Sequence, residues 1–296
     1  MRIGFVGLGL MGMPMALNLL RGGHELIVHS RATTNVQRLL DEGASFANST
    51  RELAASVDVL CSCRVSPAHS VETFLGTEGA LASGRRGLLC VDFATIDPAT
   101  SRMIAGRLAE GGLGYIDAPV SGGPVGAAAA TLTIMVGGSE ADVAQARPVL
   151  ELLGRNIFHL GDVGNGLAAK LCNNLITGTL HVLIAEAMVL GTKLGLEPER
   201  LYDVLKASSA RSNTLERVVP NHFLRANYEP ASALAMMIKD LECVISTAKL
   251  AGVRMLLPTL AQQCYIEAAG LGYGAKDLAA VILPMEAIAG VTVGRP

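Results

Sequence analysis

The run Gly7, Leu8, Gly9, Leu10, Met11, Gly12 follows the apolar segment Ile3 to Val6 and opens a stretch of helix-forming residues, Met13 to Arg21. A G-x-G-x-x-G set between a strand and a helix leaves a chain few alternatives. The first glycine permits a tight turn, the second lets the backbone approach a pyrophosphate, and the third lets helix and strand pack closely. The helix then points its unpaired N–H groups and the positive end of its dipole at that phosphate. Glycine alone means little in a chain with 33 of them, so the strand-to-helix context is what makes this a dinucleotide-binding signal. The same apolar run imitates a signal peptide behind Arg2, but Gly4, Gly7, Gly9, Gly12 and Pro14 interrupt it and no small-residue cleavage site follows.

Downstream, short β-rich runs alternate with helix-like segments, the order of a parallel sheet covered by helices. The pattern predicts strands over 3–6, 25–29, 57–60, 88–91, 114–116 and 131–136. Helices are expected over 13–21, 34–42, 68–75, 98–110 and 140–153. The fold class is therefore an α/β, doubly wound Rossmann domain, assigned to residues 1–162. Beyond Gly161 strand signals nearly vanish, and helical spacing runs over about 166–194, 198–207, 239–251 and 258–269. Residues 163–296 are expected to form an all-α domain for substrate and oligomerisation. The first of its helices, roughly 40 Å long at 1.5 Å per residue, joins the two domains. Its apolar residues cover more than one face, which suggests burial on several sides, a second subunit being one candidate cover.

With 24 Lys+Arg against 26 Asp+Glu, the formal charge of -2 advertises no polyanionic partner. No Trp and 4% aromatics leave no platform for stacking bases, so no nucleic-acid partner is expected. Half the residues are hydrophobic and 17% charged, enough for a sizeable core. The uncharged stretch from Ala118 to Ser139 is broken by Gly122, Gly123 and Pro124, and reads as a loop and a buried strand rather than a membrane span. Six scattered cysteines without a C-x-x-C pair point to a reducing, cytoplasmic setting, and neither they nor the six histidines show metal-ligand spacing, so no metal is expected.

After the second strand, where an NAD site usually carries Asp or Glu for the ribose hydroxyls, this chain has Ser30 and Arg31. An arginine there can clamp a 2′-phosphate with charge-assisted hydrogen bonds, so NADP is favoured over NAD. The alternative is an ordinary exposed loop arginine. Asp117-Ala-Pro-Val-Ser-Gly-Gly-Pro124 follows another strand end, and Ser121 with the N–H groups of Gly122 and Gly123 would cradle a small carboxylate. Lys170 and Asn174 are four apart, so a helix puts them on one face. A lysine on so apolar a helix is either a surface side chain that snorkels or a general acid/base.

Read together, Gly7 to Asn18, Asp117 to Gly123, Thr131 to Gly138, Gly164 to Asn174 and Lys239-Asp240 resemble the β-hydroxyacid dehydrogenase family over nearly the whole chain. That family includes 3-hydroxyisobutyrate dehydrogenase and tartronate semialdehyde reductase. The resemblance implies a homodimer or homotetramer that oxidises a small β-hydroxy acid to its semialdehyde with NAD(P). It implies Lys170 as the catalytic lysine, Asn174 as its support, and Ser121, Gly122 and Gly123 as contacts to the substrate carboxylate. It further implies Thr95 near the nicotinamide ribose, Lys239 as a second cofactor contact, and Val65 in the cofactor turn. The chain departs from the pattern at Ala94, usually Ser, at Ala130, usually Gly, and at Val65-Ser66, usually Leu-Pro. Arg211 reaches the substrate or serves the surface. An imine reductase, a non-catalytic dinucleotide-binding module and a 6-phosphogluconate dehydrogenase are the competing expectations. The first two usually lack the lysine at the position of Lys170, and the last is usually longer.

Overall fold

Nine strands and thirteen α-helices place these residues in a computed structural model that describes residues 1–31 and 33–295. The chain divides into two compact units, Met1–Lys170 and Leu171–Pro296. The first runs β1 (Arg2–Val6), α1 (Gly12–Arg21), β2 (Glu25–His29), α2 (Thr33–Asp41), β3 (Ser45–Phe46), α3 (Thr50–Ser56), β4 (Val59–Ser62) and α4 (Pro67–Leu75). It continues with β5 (Leu89–Asp92), α5 (Pro98–Glu110), β6 (Gly114–Asp117), β7 (Val120–Ser121), α6 (Gly123–Ala128), β8 (Leu132–Val136), α7 (Glu140–Glu151), β9 (Gly154–His159) and the start of α8 (Asn165–Lys193).

Six strands form one sheet in the order β3-β2-β1-β4-β5-β6, every pair parallel. The order reverses between β1 and β4, the point where an open α/β sheet leaves a crevice at the carboxyl ends of its strands. β4 and β5 are buried along their whole length, which is why they read as unbroken apolar runs. Alternate residues feed two cores, with Ile3, Phe5, Val59 and Val91 packing with α1 residues Met15 and Leu19, and Val6, Leu60 and Cys90 packing with Leu53, Phe74 and Ile104.

The strand expected at 131–136 forms, as β8, but not in the parallel sheet. It is the middle strand of a second sheet, antiparallel to β7 and parallel to β9, and a bridge between Asp117 and Gly137 joins it to the end of β6. A run of β-formers marks a strand without naming its partner. β3 and β7, two residues each, are too short for any periodicity, and β9 has only Gly154 fully buried. The strand expected at 57–60 lies two residues later, because Val57 closes α3. The segment expected as a loop after Ala118 contains α6, and Ala130, where the resemblance has glycine, takes a left-handed φ of 53°. That conformation costs an alanine about 1 kcal/mol more than a glycine.

The second unit is helical: the rest of α8, then α9 (Pro198–Ala207), α10 (Asn213–Val218), α11 (Leu234–Leu250), α12 (Leu257–Ala268) and α13 (Ile282–Ala289). Met188, Phe223, Leu241, Tyr265 and Ile282 are buried at its centre. The Tyr265 hydroxyl donates to the Gly178 carbonyl at 2.9 Å. α11 starts five residues before the expected Lys239, so that lysine sits inside the helix. By length and composition α8 is apolar enough to cross a bilayer, with a mean hydropathy of 1.6 in its most apolar window, 44% of which is buried within the protein.

Candidate functional site

The three motif glycines answer to different demands. Gly7 has a φ of +92°, and a Cβ there would lie 2.5 Å from the Cys63 carbonyl oxygen. A Cβ on Gly12 would run into the carbonyl of Gly7. A Cβ on Gly9 would meet nothing within 4 Å, so the fold does not require that glycine. The open flank at Gly9 beside the N-terminus of α1 fits a pyrophosphate, whose oxygens need both the space and the N–H groups. Leu8 is buried and its carbonyl accepts from Asn35 Nδ2 at 2.6 Å, Met11 is half-buried, and Leu10 is exposed.

Ser30 and Arg31 follow β2, Val65 follows β4 and Thr95 follows β5, all at carboxyl ends of the parallel sheet. Arg31 and Val65 are exposed, Ser30 and Thr95 half-buried. Ser66, in place of the usual proline, caps α4 by accepting from the His69 N–H at 3.3 Å, which accounts for that departure physically. Sequence reasoning passed over Arg64, whose Cδ lies 3.2 Å from where a Gly7 Cβ would be.

Asp92 and Asp117 are register partners at the ends of β5 and β6. Asp92 accepts from the Ala94 N–H at 3.1 Å, and burial pushes its carboxyl up to about 6 despite that bond. Asp117 accepts from the Gly164 N–H at 2.6 Å and the Leu167 N–H at 2.8 Å, fastening the first turn of α8. Burial raises it to about 6 as well, opposed by those N–H groups. A Cβ at Gly137 would lie 2.6 Å from one Asp117 oxygen, and at Gly166 2.8 Å from the other. Lys170 stands three residues beyond Leu167 on that helix, half-buried. Ser121 ends β7, and Gly122 and Gly123 follow with φ of +136° and +63°, conformations that call for glycine.

In the second unit Asn174 is buried and donates from Nδ2 to Asp240 Oδ2 at 2.7 Å, while its Oδ1 accepts from Asn173 at 3.1 Å. Lys239 Nζ reaches the other Asp240 oxygen at 2.7 Å. Asp240 thus ties together two residues that the sequence singled out, a part the Lys239-Asp240 pair does not reveal by itself. Arg211 is exposed and forms an ion pair with Glu216.

Residues 2–161 match the NAD-binding domain of 6-phosphogluconate dehydrogenase, and residues 164–285 match the NAD-binding family of NADP-dependent 3-hydroxyisobutyrate dehydrogenase. A probable mitochondrial 3-hydroxyisobutyrate dehydrogenase of Dictyostelium discoideum is 41% identical over 94% of this chain and 89% of its own length. The chain is a member of the β-hydroxyacid dehydrogenase family. The 2-(hydroxymethyl)glutarate dehydrogenase of Eubacterium barkeri is 37% identical to this β-hydroxyacid dehydrogenase over 99% of this chain and 97% of its own length. The crystal structure of 3-hydroxyisobutyrate dehydrogenase from Salmonella typhimurium superposes with a TM-score of 0.87 at 33% identity, covering 96% of this chain and 99% of that one.

Proposed function

We propose that this β-hydroxyacid dehydrogenase interconverts a small β-hydroxy acid and its semialdehyde, of the 3-hydroxyisobutyrate or 2-hydroxy-3-oxopropionate type, with NADP preferred to NAD. The observation that carries the mechanism is the start of α8, where Asp117 clamps the turn immediately before Lys170. A bound nicotinamide dinucleotide supplies a hydride acceptor or donor. Gly7 to Gly12 with the α1 N-terminus hold its pyrophosphate, Ser30 and Arg31 its adenosine end, and Val65, Thr95 and Lys239 are its further contacts. Ser121 and the N–H groups of Gly122 and Gly123 bind the substrate carboxylate, which fixes the carbinol carbon relative to the lysine. Lys170 takes the hydroxyl proton during oxidation and returns it during reduction. Asn174, oriented by Asp240, supports the substrate on the same helix, and Arg211 contributes to its recognition.

The same reading makes the protein cytoplasmic and homo-oligomeric, dimer or tetramer, with α8 a core helix rather than a membrane span. It is supported by the partial burial of α8 within the protein and by the scattered cysteines. Initial rates with NADP and NAD across a panel of β-hydroxy acids and semialdehydes, with Lys170→Ala in parallel, test the activity. Lys170→Ala is expected to lower kcat by at least about a hundredfold with cofactor affinity retained. Turnover undiminished in that variant would remove Lys170 from the mechanism. An unchanged substrate KM in Arg211→Ala would remove Arg211.

A further inference from the structure

Two arginines follow the strands that neighbour β1 in the sheet, just beyond the glycine loop. β1 lies between β2 and β4 in the sheet, Arg31 follows the end of β2, and Arg64 follows the end of β4. Both strands are bonded to the loop region, the Gly7 N–H to the His29 carbonyl at 3.4 Å and the Cys63 N–H to the Val6 carbonyl at 2.9 Å. The Arg64 side chain runs past Gly7 and is only 16% exposed. Its partner Glu72 stands 3.8 Å away with a side chain 71% exposed, an ion pair too long for a hydrogen bond and open to water. The guanidinium fork therefore remains available to a better acceptor.

Arg64 also feels Arg31. Burial is the largest influence lowering its pKa, and the like charge of Arg31 comes next, against the opposing pull of Glu72 and Asp92. Like charges that repel each other at the crevice of a parallel sheet are costly, and they become favourable when an anion binds both. A dianionic phosphate suits such a pair, because each fork can give two parallel N–H···O bonds.

We propose that Arg64 is a second arm of the adenosine 2′-phosphate site, so that Arg31 and Arg64 together clamp that phosphate. The proposal rests on the dinucleotide reading above and extends it to a residue that neither the sequence motif nor the family pattern marks. It separates the cofactor's phosphates: the loop and the α1 N-terminus serve the pyrophosphate, and the two arginines serve the 2′-phosphate.

Calorimetric titration with 2′,5′-ADP and with ADP, which carries no 2′-phosphate, tests this without any turnover. Wild type is expected to prefer 2′,5′-ADP. Arg64→Met keeps the apolar stem and is expected to weaken 2′,5′-ADP by about ten- to a hundredfold while ADP binding changes less than about twofold. Arg64→Lys, which keeps the charge but not the fork, is expected to fall between, and it carries the test if the Met variant does not fold. Equal weakening of both nucleotides would place Arg64 on the 5′-phosphate or adenine that the two share and overturn the clamp. Unchanged 2′,5′-ADP affinity in both variants, with wild type still preferring it, would overturn the clamp and leave the dinucleotide reading intact. Wild type binding neither nucleotide would overturn both.

Discussion

Gly9 and Gly12 belong to one motif, yet only one of them is needed for folding. A methyl group on Gly12 collides with the Gly7 carbonyl, whereas one on Gly9 points into open space. Gly12→Ala should therefore destabilise the protein by about 1–3 kcal/mol, while Gly9→Ala should leave stability within about 0.5 kcal/mol. Gly9→Ala is nevertheless expected to weaken dinucleotide binding about tenfold or more, because the methyl occupies the space that a pyrophosphate needs. Urea unfolding and dinucleotide titration of both variants check the contrast, and equal destabilisation by the two substitutions would contradict it. Asp92 carries a second prediction at this scale. Burial lifts its carboxyl from 3.8 to about 6 in the folded chain, so the folded state holds this proton more tightly than the unfolded state does. Its contribution to stability is fully present below about pH 4 and is lost as the pH rises through about 6. Asp92→Asn cannot titrate and keeps an acceptor for the Ala94 N–H. Relative to wild type the Asn variant should gain on the order of 1–3 kcal/mol between pH 4 and pH 7. Denaturant unfolding at the two pH values reads the gap, and a gap independent of pH would refute it.

At the scale of elements, α8 shows how a buried carboxylate can organise the start of a helix. Asp117 satisfies two N–H groups of the first turn, and Gly137 and Gly166 leave no room for anything between their backbone and its oxygens. Asp117→Ala leaves those N–H groups without an acceptor and should cost about 1–3 kcal/mol. If the cap positions Lys170, kcat should also fall while dinucleotide affinity is unchanged; a loss of stability with kcat intact would make Asp117 structural only. The sequence placed Asp117 at a strand end, but not the turn it caps, 47 residues away. Legibility in general followed length and amphipathicity. The long helices and the buried strands declared themselves, whereas α3, seven residues long, carried only its Ser49 cap bond to Glu52 as a signal. Arg64 and Asp240 escaped because their roles depend on what lies across the sheet or on a neighbouring helix, and a linear motif records neither. Asn174 was legible as a helical partner of Lys170, but its orientation by Asp240 spans 66 positions of sequence.

For the whole molecule, the apolar excess that the sequence shows is not fully used inside one chain. On α8, Ile176, Leu183 and Leu190 are 57%, 46% and 61% exposed. They recur every seven residues, so they form one stripe along the helix. An exposed apolar stripe of this kind is costly in water at about 25 cal/mol per Å² of apolar surface, and covering it with a second copy recovers that free energy. A symmetric pair sets the same stripe against itself, so a single substitution on the stripe weakens the interface at two symmetry-related places. Leu183→Glu with Leu190→Glu should therefore shift the mass measured by light scattering from a dimer or tetramer to a monomer. Neither residue belongs to the helical core, so the circular dichroism spectrum should keep its helical signal. Retention of the oligomer in the double variant would move the interface elsewhere, and a wild type that runs as a monomer at micromolar concentration would sink the homo-oligomer reading.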